Sequence, residues 1–181
     1  MALCVLKWLM LIPVSFAITL ASWVIAPLAV LLADSDGCLP KWLRWASTAS
    51  TNLDGDSYNR SRWKSRYIRR VWWMWRNPGV VAQSTPPLGF VIEAGDVYGF
   101  EGDEATADNN GGHSGKVLRW IERGGKVVAF QFYLVHQYSW HKTRCLRVSF
   151  GWKLWQAPAV GKTCQHTARV AIFKHFGRGK G

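Results

Sequence analysis

Between Trp8 and Ala33 the chain carries no ionisable side chain, and Lys7 is the one charged residue in the first 33 positions. The run is rich in Leu, Ile, Val, Ala and Phe. About 20 such residues cross a ~30 Å hydrocarbon core as a helix, so this one is long enough with some tilt or an interfacial extension. Leu, Ile, Val and Phe each favour insertion by roughly 0.3–0.6 kcal/mol at a helix centre. The segment is therefore expected to be a transmembrane anchor within residues 1–36. Pro13 and Pro27 fall near its ends, where a lost backbone hydrogen bond costs least. A re-entrant hairpin bent at a proline is the alternative geometry. A cleaved signal peptide would have a shorter apolar region, and here the run continues through Leu32, beyond the small-residue site Thr19-Leu20-Ala21. A core helix without a polar face would need a larger protein around it than 181 residues supply.

The net charge of +12 is unevenly spread. Only Lys7 and the α-amino group precede the apolar run, whereas Lys41, Arg44 and a cluster from Arg60 to Arg76 follow it. That asymmetry orients the bulk of the protein toward the cytoplasm, as a single-pass membrane protein. Excess basicity implies an anionic partner, either lipid headgroups or nucleic acid. Cys4, Cys38, Cys145 and Cys164 lack the spacing of a disulfide framework, which fits a reducing compartment. A Cys145 to Cys164 bridge is open only to an exported domain.

Residues 37–92 read as an interfacial, basic, tryptophan-rich segment. Lys41, Trp42, Arg44 and Trp45 interleave cations and indoles at the membrane boundary, where indoles settle among headgroups and basic side chains reach phosphate. Ser61 to Trp75 has the period of a helix, with Trp63, Tyr67, Val71 and Met74 or Trp75 on one side and Arg62, Arg66, Arg69 and Arg70 elsewhere. Trp72 and Trp73 add to its aromatic content. A basic amphipathic helix of this kind suits a membrane surface. The competing readings are nucleic acid binding and a helix packed on the C-terminal domain with solvated arginines. Thr51 to Asp56 has turn chemistry, but Ser65 stands where a calcium loop starting at Asp54 needs its bidentate glutamate.

Residues 93–115 hold Glu93, Asp96, Glu101, Asp103, Glu104 and Asp108 among Gly and Asn, without hydrophobic periodicity, and are expected to be a linker. In residues 116–181 the period becomes two. Val117 to Arg123 and Lys126 to Val135 flank Gly124-Gly125 as a hairpin. Arg144 to Leu154 alternates Leu146, Val148, Phe150, Trp152 and Leu154, taken as the core row, with Cys145, Arg147, Ser149, Gly151 and Lys153, taken as the wet row. Arg169 to Phe176 is a further strand. The fold expected is α+β: a transmembrane helix, a basic amphipathic helix and an antiparallel sheet of about four strands.

No nucleotide, hydrolase or zinc-protease motif is present. His136, His141, Cys145, Cys164, His166 and His175 do not form a familiar zinc pattern. Cys145 is expected on an open strand face and the histidines in loops, with no metal, cofactor or catalytic residue.

Three strings, Asn52-Leu53-Asp54-Gly55-Asp56, Trp75-Arg76-Asn77-Pro78, and Arg147 followed by Gly151-Trp152-Lys153-Leu154, resemble a family of uncharacterised small membrane-associated proteins of tailed bacteriophages and prophages. The resemblance covers the chain in order as far as the late strand, not from Ala157 onward. It implies a non-enzymatic phage membrane protein, with Asn52, Asp54, Gly55, Asp56, Arg76, Asn77, Pro78, Gly151 and Trp152 as motif positions. Two other roles compete: a host-lysis or superinfection-exclusion factor, and a virion or DNA-handling protein binding nucleic acid through the basic helix.

Overall fold

The computed structural model describes residues 1–48, 52–55, 57–106, 113–154 and 158–176. The chain divides into two compact units, Leu11–Gly89, and Met1–Met10 together with Phe90–Gly181. The first ten residues of the expected anchor are therefore grouped with the β-rich part. The fold is α+β, an apolar N-terminal helix followed by antiparallel sheets.

Helix α1, Ala2–Leu31, runs through both Pro13 and Pro27. In the Leu11–Gly89 unit it is followed by a 3₁₀ helix, Lys41–Ala46, and by α2 (Ser57–Arg62), α3 (Arg66–Arg76) and α4 (Val80–Ser84). The single helix expected from Ser61 to Trp75 is therefore two. It breaks because Ser65 is extended and its Oγ accepts a hydrogen bond from the Ile68 amide at 3.4 Å, capping α3. Asn77 closes α3 ahead of Pro78. Ala26, Ala29 and Val30 of α1 pack with Leu39, Leu43, Ala46, Leu53, Val71 and Met74 in one apolar cluster. Gly79 has a left-handed backbone (φ 61°), and a Cβ there would lie 2.5 Å from Ile18 Cγ2. Only glycine lets that turn approach α1 so closely.

In the β unit, β2 (Val97–Gly102), β3 (Gly115–Arg123), β4 (Lys126–Tyr138), β5 (His141–Trp152) and β7 (His166–His175) form a five-stranded antiparallel sheet in the order β2-β3-β4-β5-β7. β1 (Phe90–Val91) and β6 (Thr163–Cys164) form a separate pair. Gly124 and Gly125, at φ 57° and 72°, make the β3–β4 turn as their sequence implied. β2 lies inside the stretch expected to be a linker. It pairs with β3 from Val97↔Glu122 to Gly102↔Val117, so a neighbour's ladder rather than its own periodicity makes it a strand. The adjoining acids are also engaged, since Arg123 binds Asp96 at 2.7 Å and Glu93 at 2.6 Å.

Trp152 and Leu154 are buried as the alternation implied, but over residues 145–151 the assignment of faces is reversed. Cys145, Ser149 and Gly151 are buried, whereas Leu146, Val148 and Phe150 are only half-buried. Their row continues across the sheet through Tyr133 to Val117 and through Gln131 to Arg119, all at 1% exposure or less. The polar groups are largely answered from within. Arg119 donates from Nε to Tyr98 Oη and from Nη2 to the carbonyls of Glu104 and Thr106, which draws the segment after β2 over this face. The Gln131 carboxamide oxygen accepts from the Leu154 amide. A polar side chain with an internal partner is buried at little cost, and alternation alone does not register such partners.

On the other row, Trp8 packs edge-on against Phe130 at 5.6 Å and beside Phe150 at 5.5 Å, and its indole N–H donates to the Thr167 carbonyl at 3.0 Å. Truncating a buried aromatic side chain costs ~3–5 kcal/mol. Trp8→Ala should destabilise the β unit by about that much in denaturant unfolding of the detergent-solubilised chain; a loss below ~1 kcal/mol would show that the indole is not a packing element.

Candidate membrane-interface site

Two parts of the Leu11–Gly89 unit carry the residues that the sequence points to. In the 3₁₀ helix, Leu43 and Ala46 are buried, and Lys41, Trp42, Arg44 and Trp45 are exposed. Three residues per turn set the two buried side chains on one edge and leave the cations and indoles on the others. Trp42, at 68% exposure, is the most open indole among the described residues.

In α2 and α3 the arginines separate into two groups. The Arg62 guanidinium lies over the rings of Trp63 and Trp72, at 5.1 and 5.4 Å, and Arg76 lies over Trp73 at 5.3 Å. Both are exposed, as is Trp72. Trp73 is half-buried, its N–H bonded to Thr48 Oγ1.

Arg66, Arg69 and Arg70 converge instead on Asp54. Arg70 is 5% exposed. Its Nε and Nη2 grip the Asp54 carboxylate at 3.0 and 3.2 Å, and Nη1 and Nη2 reach the carbonyls of Asp34 and Ser35. Asn52 holds the acid in place by accepting the Asp54 amide on Oδ1 at 2.6 Å. The guanidiniums of Arg70 and Arg69 keep the Asp54 carboxyl at about 2, below its ordinary 3.8.

Arg69 and Arg70 are therefore removed from the lipid-facing set, and Arg66, though exposed, is shared with Asp54 and the Ser35 carbonyl. Asp54 and Asn52 are the residues whose role the sequence concealed. The signal available was one acid beside a helix dense in arginine. Of the other motif positions, Gly55 takes a left-handed turn (φ 72°) and Trp152 is 1% exposed beneath Phe90, Phe130 and His166. Asp56 lies outside the described residues.

The site includes a face of α1 that hydropathy did not resolve. Ser15, Ser22 and Ala29, seven residues apart, are buried with Ala26. Gln83 of α4 donates to Thr19 Oγ1 at 2.9 Å, and Tyr67 of α3 donates to the Pro27 carbonyl. Trp23 and Trp75 exchange bonds, each indole N–H reaching the other's carbonyl at 3.0 Å. Small side chains permit this close approach between helices. Phe16, Val24, Leu28 and Leu31, at 65–70% exposure, stand on the remaining side with Leu20 at 48%.

The candidate catalytic groups are dispersed. Among the described residues no group of three or more His, Cys, Asp or Glu could hold a metal ion. Cys145 is fully buried rather than on an open face, and His166 is a buried strand residue rather than a loop one. Burial pushes the Cys164 thiol up to about 11, leaving it protonated at neutral pH, and burial also lowers His166. All four cysteines are free thiols.

Removing the acid beneath buried Arg70 leaves an uncompensated cation, which costs ~3–5 kcal/mol. Asp54→Asn should lower stability by about that amount in thermal or urea unfolding. Because the folded carboxyl titrates near 2 and the unfolded one at 3.8, the stabilisation by Asp54 is complete above about pH 4 and is lost as pH falls toward 2. An acid-unfolding profile that is the same for wild type and Asp54→Asn across that window would contradict the assignment.

Residues 1–178 match the sequence model of a family of unknown function (DUF7338). No curated protein and no solved structure matches.

Proposed function

The chain therefore belongs to that family of unknown function, and we propose that it is a non-enzymatic membrane protein, attached to a bacterial inner membrane by α1 and holding its basic, tryptophan-rich unit against anionic headgroups on the cytoplasmic face. The observation that carries this reading is the bare side of α1. Among the described residues one helix is long and apolar enough to cross a membrane, and only 17% of its most apolar stretch is buried. A core helix of a soluble protein would be mostly covered, and a contiguous apolar surface of this size marks an interaction site. Lys41, Trp42, Arg44 and Trp45 supply the exposed cations and indoles that suit a headgroup layer. The likeness to small phage and prophage proteins supports a role as an accessory factor at the host membrane. Nucleic acid binding by the basic helix is less well supported, since Arg69 and Arg70 are engaged with Asp54.

The full-length chain should sediment with membranes and float with liposomes after a high-salt wash. Val24 and Leu28 are each 70% exposed, so replacing them leaves packing intact. An aspartate on the bare side of α1 opposes its burial among acyl chains, by up to ~2.5–3.5 kcal/mol at full depth. Val24→Asp with Leu28→Asp should therefore move most of the protein to the soluble fraction. Recovery of the wild-type chain in the low-salt soluble fraction would remove the proposal.

A further inference from the structure

Resting on the membrane attachment proposed above, we infer that α1 lies in the plane of one leaflet, its bare side toward the acyl chains, and does not cross the bilayer. Within the Leu11–Gly89 unit, the part of α1 from Leu11 to Leu31 is about 30 Å long, the whole thickness of a hydrocarbon core. It is not a free cylinder. Ser15, Ser22, Ala26 and Ala29 are covered, Ala26 and Ala29 by an apolar cluster that includes residues of the 3₁₀ helix and α3, and the rest by short elements that bring polar groups with them rather than by another long apolar helix. Gly79 and Gln83 sit against Ile18, Ser22 and Thr19, Trp75 is bonded to Trp23, and Tyr67 is bonded to Pro27.

Upright insertion would carry this cover into the membrane. With Leu31 at one boundary, Trp23 lies about 12 Å deeper and Ser15 about 24 Å deeper. Trp75 is tied to Trp23, so Arg76 and Asn77, next to it in the chain, would enter near the bilayer centre, where an ionised side chain strongly opposes insertion. The non-helical backbone around Gly79 and from Thr85 to Gly89 would follow, and irregular backbone is not tolerated against lipid.

An in-plane helix meets neither obstacle. Phe16, Leu20, Val24, Leu28 and Leu31 enter the acyl region, and the covered side stays at headgroup level, where the cations of the 3₁₀ helix and α3 meet phosphate. The partner is therefore a single anionic leaflet.

The test uses the full chain with Cys38→Ser, leaving buried Cys4, Cys145 and Cys164 shielded. Leu3→Cys and Asp36→Cys, both at exposed positions bracketing α1, are treated with a membrane-impermeant maleimide in spheroplasts and in inverted vesicles. The in-plane arrangement is supported when both variants label in the same preparation, and overturned when each labels in a different one. Spin labels at Phe16→Cys, Val24→Cys and Leu31→Cys give an independent readout. Equal depths are expected, and a depth running from one boundary through the centre toward the other overturns the inference. A chain that fails to float with vesicles at all would instead overturn the membrane attachment on which this rests.

Discussion

The close approach that Ser15, Ser22, Ala26 and Ala29 allow along one side of α1 is the constraint on which the arrangement of the Leu11–Gly89 unit depends. Larger side chains would hold the covering elements away from the helix. The Gly79 turn could not reach Ile18, and neither the Gln83 bond to Thr19 nor the paired Trp23 and Trp75 bonds could form. The same packing divides the helix, from Leu11 onward, lengthwise into a covered side and a side left exposed among the described residues. That division is the basis for regarding α1 as an attachment surface.

Polar burial is the second theme, and each unit handles it by supplying partners of its own. Arg70 is held by Asp54 and by the carbonyls of Asp34 and Ser35, so one guanidinium ties α3 to two preceding loops. Arg119 is held by Tyr98 and by the carbonyls of Glu104 and Thr106. Isolated buried cations would be prohibitive, and hydrogen-bonded ones are tolerated because desolvation is offset at short range. The arrangement trades exposed charge for fixed loop geometry. It leaves Lys41, Arg44, Arg62, Lys64 and Arg76 among the exposed cations beside the indoles.

Much of the architecture was legible in the residues. A charge-free run gave the helix, Gly124-Gly125 gave a hairpin, and the alternation from Arg144 to Leu154 gave the longest part of β5. The 3₁₀ segment displays its indoles and cations as their interleaving implied. Other features were hidden. β2 carries acids and glycine, and only the ladder with β3 makes it a strand. The row Cys145, Ser149, Gly151 looked wet because it alternates with apolar residues and includes Arg147 and Lys153, yet it is covered together with Gln131 and Arg119, whose partners lie in other parts of the chain. Among the arginines of α3, nothing local distinguishes Arg70, which is buried, from Arg66, which is 53% exposed at its side chain.

The sequence by itself determined α1 with its apolar character, the β3–β4 hairpin and β5, because hydrophobic patterning and turn chemistry act over a few neighbouring residues. Tertiary structure alone decided which side of α1 is covered, which arginines are spent on Asp54, and which row of the sheet lies inside. Those outcomes depend on contacts between residues far apart in the chain, such as Arg70 with Asp34 or Gln83 with Thr19. A side chain is buried or exposed according to whether a partner arrives at that point in space, and spacing along the chain does not encode that arrival.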